Sequence, residues 1–207
     1  MNYLAHLYLS GDDSGLLVGN FIGDYVKGRQ FTRYTGTIQQ GILLHRHIDT
    51  FTDCHPEVLK SAALFKEGYH RYAGVVCDIV YDHFLAANWS NYSNIPLHDF
   101  VNRAHRILLR HYFSLPLKVK QFLPFLIKSR RLENYQYLEG VEKTLRIMSS
   151  HSSLPDKSDY ALEQLQNHYT DLQQQFFKFM PSIEASVTQF LASHQRFTDF
   201  NHAALSG

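Results

Sequence analysis

The sequence predicts an all-α fold, a single helical bundle, and three observations carry that expectation. Apolar residues recur three and four apart through most of the chain. Alternating strand patterns and β-hairpin turn dipeptides are missing. No internal repeat, low-complexity tract or composition break divides the chain, so residues 1–207 read as one domain.

Taken in order, "GDDSGLLVGN" reads as a turn with a cap opening a helix over 12–27. Its glycines lack the lysine and spacing of a phosphate loop. Ile38, Ile42, Leu43 and Ile48 predict a helix over 36–52. Pro56 before "EVLKSAALF" suits a first helical turn and predicts 56–66. Val75, Val76, Ile79, Val80, Phe84 and Leu85 predict 68–88. After the loop "SNYSNIPLHD", the repeat of Val101, Ala104, Ile107, Leu108 and Tyr112 predicts 97–113. Helices over 118–130 and 134–149 follow. Beyond the second loop, "SSHSSLPDKSD", Leu162, Leu165, Tyr169, Leu172 and Phe176 predict 158–193, broken near Pro181.

A hydrophobic content of 44% with 19% charged residues belongs to a globular chain with a substantial core, not a disordered one. A net charge of +1 gives no global field for nucleic acid or membrane, so any basic surface is local. The two cysteines, Cys54 and Cys77, form no disulfide framework and suit a reducing compartment. No apolar run approaches a membrane span, and "MNYLAHLYLSG" lacks the basic and long apolar segments of a signal peptide. The expected location is the cytoplasm. The exceptional feature is the 13 histidines, many beside aspartates.

"LLHRHIDTFTD", residues 43–53, places two histidines and two aspartates on an otherwise apolar helix. His45 and Asp49 are four apart and share a face, and Asp53 continues the line. "CDIVYDHFLAANW" repeats the device, with Asp78 and Asp82 four apart and His83 adjacent. "GNFIGDYVKG" sets Asp24 four residues after Asn20, and the opening residues add His6. Each has an ordinary explanation alone: His45 as a hydrogen-bonded core histidine, Asp49 paired with Arg46, Asp53 capping the helix at Pro56, Asp78 and Asp82 facing solvent. Together they put more carboxylates into a helical core than it tolerates without a cation. Imidazole with carboxylate is a donor set for Mn²⁺, Mg²⁺, Fe²⁺ or Zn²⁺. Glu67-x-x-His70 is half of a di-iron signature without its second half, and His151, His168, His194 and His202 read as surface histidines.

These residues resemble the acyl carrier protein phosphodiesterases, regarded as divergent HD-domain metal-dependent phosphohydrolases. The likeness runs through "MNYLAHLYLS", "GNFIGDYVKG", "GILLHRHIDTFTDCHPEV" and "DIVYDHFLAANW", and continues weakly in "HYTDLQQQFFKFMP". The resemblance implies a helical bundle of the HD-domain-like type. It also implies a Mn²⁺- or Mg²⁺-dependent enzyme removing 4′-phosphopantetheine from holo-acyl carrier protein. Asp24, His45, Asp49, Asp78, Asp82 and His83 sit on the family's polar motif positions.

Hydrolysis of an anionic diester needs charge neutralisation and a nucleophile near neutral pH, both of which a divalent ion supplies. The expectation is that His45, Asp82 and His83 hold the ion, with Asp24 or Asp78 completing the set. Asp49 then orients a ligand histidine or positions water, and His6, with His47 second, protonates the departing serine oxygen. Asp82→Ala is accordingly expected to abolish turnover with helical circular dichroism intact. For an acidic carrier protein, Arg103, Arg106 and Arg110 on one helix face are the candidate docking surface, with Lys118, Lys120, Lys128, Arg130 and Arg131 nearby in sequence. Two alternatives stay open: a phosphohydrolase of the same architecture acting on a nucleotide or small diester, and a non-enzymatic helical module that docks acidic partners.

Overall fold

The computed structural model describes residues 1–205, with side chains through residue 194. His202 therefore lies outside the described side chains. The elements are α1 (Tyr3–Tyr8), α2 (Ser14–Ile22), α3 (Gly36–Cys54), α4 (Pro56–Ala63), α5 (Lys66–Tyr69) and α6 (Ala73–Ala87). They continue with α7 (Leu97–Arg110), α8 (Leu117–Lys128), α9 (Arg131–Asn134), α10 (Leu138–His151), α11 (Ser158–Asn167) and α12 (Tyr169–Leu205). Short 3₁₀ turns occupy several joints, and no strand occurs among the described residues.

Helix α6 is the axis of the core. Val76, Ile79, Val80, Phe84 and Leu85 are fully buried, and α1, α4, α10 and α12 pack around them. A second contact fixes the functional region. Gly19 of α2 faces Gly41 of α3 so closely that a Cβ built on Gly41 would lie 2.8 Å from the Gly19 Cα. The two helices touch backbone to backbone, and glycine is required there because any side chain would force them apart.

Four boundaries differ from expectation, each for a local reason. Residues 3–8 form a helix too short to announce itself by periodicity; its N-terminal N–H groups are satisfied by Asn2 and by Asp82. The helix expected over 12–27 ends at Ile22 and passes into a 3₁₀ turn, Gly23–Tyr25. The 68–88 segment is divided at His70, whose φ of +49° cannot continue a helix. Pro181 does not break α12, because it lies on the exposed face while Phe176, Phe179, Met180 and Ile183 stay buried; the break falls instead at His168. Glu67 and His70 are both exposed at that α5 joint and form no site. No helix among the described residues is long and apolar enough to cross a membrane.

Candidate metal centre

The site is assembled from α1, α2, the 23–25 turn and α3. His6 projects from the buried side of α1 and is 3% exposed. Its Nδ1 lies 2.7 Å from Asn20 Oδ1. The Asn20 amide nitrogen donates to the His6 carbonyl and to Ser10 Oγ, at 2.7 and 2.9 Å. With its donors committed, Asn20 presents an acceptor to the ring, so His6 carries its proton on Nδ1 and turns the Nε2 lone pair outward. That lone pair faces Asp49 Oδ1 and the Met1 carbonyl, both at 3.1 Å. Burial pushes the His6 pKa down, against the upward pull of Asp49, so a neutral ring confronts two acceptors.

His45 stacks on His6 with ring centroids 4.2 Å apart and planes inclined by 23°. Its Nε2 is 3.1 Å from Asp49 Oδ2 and 3.5 Å from Asp24 Oδ1. Those approaches lack hydrogen-bond direction, and neither ring nitrogen of this buried histidine has a hydrogen-bond partner. Burial pulls the His45 pKa down, but Asp24 and Asp49 more than offset this and lift it to about 9. Burial would raise Asp49, yet both histidines hold it well below the usual carboxylate range; Asp24 is lowered chiefly by His45. One nitrogen of each imidazole and one Asp49 oxygen lie within 4.8 Å of one another. The His6 lone pair, a His45 ring that meets two carboxylates without a hydrogen bond, and the ionised Asp49 converge on one point, a donor set that a divalent cation fits.

The backbone is shaped to allow this. A Cβ at Gly23 would overlap the His45 ring, so only glycine lets the turn press against it. Gly23→Ala is expected to displace that ring and weaken divalent-cation binding at least tenfold, on the scale of a perturbed ligand support. Calorimetric titration checks it, and an unchanged affinity would show that the ring does not need this contact. Two clefts meet at Asp24 and Asp49. The larger, about 490 Å³, is also lined by Tyr3, Asp53, Arg71, Asp78 and Met148. The smaller, about 130 Å³, is bordered by Lys27, Gly28, His45 and Arg46.

Other expected site residues lie elsewhere. Asp82 is fully buried, but its carboxylate accepts the Leu4 and Ala5 N–H groups at 2.8 and 3.1 Å, capping the helix that carries His6. His83 is a core histidine between the Tyr135 carbonyl (2.7 Å) and the Tyr169 hydroxyl (3.0 Å), its pKa lowered by burial. Neither joins the cluster. Asp78 pairs with the Met1 amine at 2.8 Å, on the wall of the larger cleft. His47, two residues from His45, emerges on another side of α3, bonds Ser186 at 2.8 Å and stacks on Phe190. His6, expected as a proton donor, and Asp49, expected as an orienting group, lie together with His45 in one group of side chains that could hold a metal ion.

Arg46 does not pair with Asp49; its guanidinium donates to the Val26 and Gly28 carbonyls. Nor does Asp53 cap α4, a place taken by His55 Nδ1. Arg103 is bound to Asp12 at 2.6 Å, beside the start of α2, whereas Asp24 follows its end about 13 Å away. The residue that sequence reasoning passed over is Asn20, noticed only for its spacing from Asp24. Its isolation as an amide in an apolar helix was the available signal.

The sequence matches the family model described as acyl carrier protein phosphodiesterase over residues 1–183. A Photorhabdus laumondii protein named acyl carrier protein phosphodiesterase is 31% identical over 182 residues, covering 87% of this chain and 92% of that protein. Proteins of the same name from Enterobacter sp. and Salmonella agona are 32% and 30% identical, covering 87% and 91% of this chain. No solved structure matches.

Proposed function

This chain belongs to the acyl carrier protein phosphodiesterase family and is a phosphoric diester hydrolase, and on that premise we propose that it is a metal-dependent enzyme of the cytoplasm acting on holo-acyl carrier protein. It cleaves the link between phosphopantetheine and the carrier serine, releasing apo-carrier protein and 4′-phosphopantetheine. His6, His45 and Asp49 hold the ion with Asp24 as a further donor, and Mn²⁺ is the metal proposed. The reading rests most on one observation: the ring nitrogens of buried His45 have no hydrogen-bond partner while Asp24 and Asp49 approach to within 3.5 and 3.1 Å.

A divalent cation there supplies charge neutralisation for the phosphate and acidification of water. The chain supplies the rest. Asn20 fixes the His6 tautomer through Nδ1 so that Nε2 stays available. Asp49 touches both imidazoles and holds them on one locus. The phosphopantetheine arm lies in the 490 Å³ cleft, which is large enough for such a chain and carries Arg71 for its phosphate. The shared pattern of histidines and aspartates on helices is what favours the HD-type reading, within one helical domain.

The test is to incubate holo-carrier protein with the enzyme and Mn²⁺ and weigh the carrier by mass spectrometry. Loss of the whole phosphopantetheine group is expected. Loss of pantetheine alone would move the cleavage to the other phosphorus–oxygen bond. An intact carrier beside hydrolysed bis-p-nitrophenyl phosphate would favour a small diester as substrate.

A further inference from the structure

We propose that the basic segment Lys27–Arg33 is the docking surface for the carrier protein, seating a carboxylate-rich protein face that surrounds a serine-linked phosphodiester. The inference rests on the substrate class argued above and assigns where that substrate sits. The reacting phosphorus is joined to a serine, so it stands one short side chain from the carrier's backbone. The carrier must therefore rest against the rim of the metal centre, and cations at that rim meet it first.

Two openings reach that centre. Asp24 and Asp49 line both; the larger adds Asp53 and Asp78, so that its four carboxylates outnumber Arg71 and the Met1 amine and disfavour a carboxylate-rich protein at its mouth. The smaller is bordered by Lys27, Gly28 and Arg46. Between Tyr25 and Thr35 the chain carries Lys27, Arg29 and Arg33 and no carboxylate. All three are exposed, and none has an ion-pair partner among the described residues. Lys27 is the extended cap of the 3₁₀ helix Gly28–Arg33, which carries Arg29 and Arg33, so the three cations follow one short segment that starts at the rim of the smaller cleft. Uncompensated surface cations of this kind steer and orient an acidic partner.

The segment is also held in register with the catalytic groups. Arg46, next in sequence to His45, donates to the Val26 and Gly28 carbonyls at 2.9 and 2.7 Å and lies 5.1 Å from the Phe31 ring centroid. The same helix thus carries the metal-binding imidazole and braces the basic segment. Of the α7 arginines, Arg103 is already neutralised by Asp12, at the far end of α2.

The test measures binding to the Mn²⁺-loaded enzyme by fluorescence anisotropy, with labelled apo-acyl carrier protein as probe, because it has no diester to hydrolyse. Arg29→Glu/Arg33→Glu is expected to weaken binding about tenfold or more at low salt and to flatten its dependence on ionic strength. Arg106→Glu/Arg110→Glu is expected to leave the affinity within about twofold. Equal melting temperatures guard against misfolding. Unchanged binding by the first variant, or an equal loss in the second, overturns the proposal. So does a wild-type enzyme that binds an oligonucleotide but not the carrier. Binding is read without turnover, so failure here is separate from failure of the mass-spectrometric assay.

Discussion

Asp49→Asn is expected to remove tight Mn²⁺ binding and to lower kcat/KM on holo-carrier protein by roughly 10²–10³-fold or more. The carboxylate touches both imidazoles, with Oδ1 3.1 Å from His6 Nε2 and Oδ2 3.1 Å from His45 Nε2. An amide keeps the shape, loses the charge and turns an N–H pair toward one ring, where a cation requires a lone pair. The side chain is 40% exposed at the junction of the clefts, so the substitution opens no core cavity and folding is expected to survive. Calorimetry with Mn²⁺ and carrier turnover measure the two effects. A variant with near-normal metal affinity would remove Asp49 from the donor set and with it the proposed centre.

Asp82→Ala is expected to destabilise the fold by about 3 kcal/mol, lowering Tm by roughly 10 °C, in contrast to the purely catalytic loss that sequence reasoning assigned to it. Its carboxylate is the acceptor for the Leu4 and Ala5 N–H groups, and its burial keeps bulk water from taking over that role. Activity falls as well, because the helix left uncapped is the one that carries His6. Burial raises the Asp82 pKa to about 7, against the lowering effect of those N–H bonds. The folded state thus holds a proton that the unfolded chain, with its ordinary value near 3.9, releases earlier. The stabilising contribution of this titration is complete below about pH 4 and is lost as pH rises through about 7. Asp82→Asn, which cannot titrate, should flatten the Tm profile across that window. Denaturation scans from pH 4 to 8 decide it; an unshifted Tm in the alanine variant would show that Asp82 is not the cap.

The partition between the two aspartate–histidine segments shows how far the sequence was legible. The spacing of His45 and Asp49 places them on one face of α3, and the structure confirms that they approach within 3.1 Å. Asp78 and Asp82 likewise share a face of α6 and both turn toward the chain's first residues. What spacing does not reveal is the neighbour. A buried carboxylate is satisfied equally by a cation, an amine or the unpaired N–H groups of a helix start, and α6 meets the last two. The pairing of His6 with Asn20 was hidden for a related reason: their hydrogen bond joins two elements fourteen residues apart, and no local period records it.

Residue pattern alone determined that this chain is helical, that its polar residues within apolar helices need compensation, and that a histidine and an aspartate four apart on the third helix would act together. Those properties follow from periodicity and from the cost of burying charge, which operate within a single segment. Only the tertiary structure decided which carboxylates meet a second imidazole and which serve as caps, because that depends on where the backbone of one helix ends against the side chains of another. The glycine contact of α2 with α3 and the turn at Gly23 place those ends, and so separate the candidate metal centre from the scaffold that supports it.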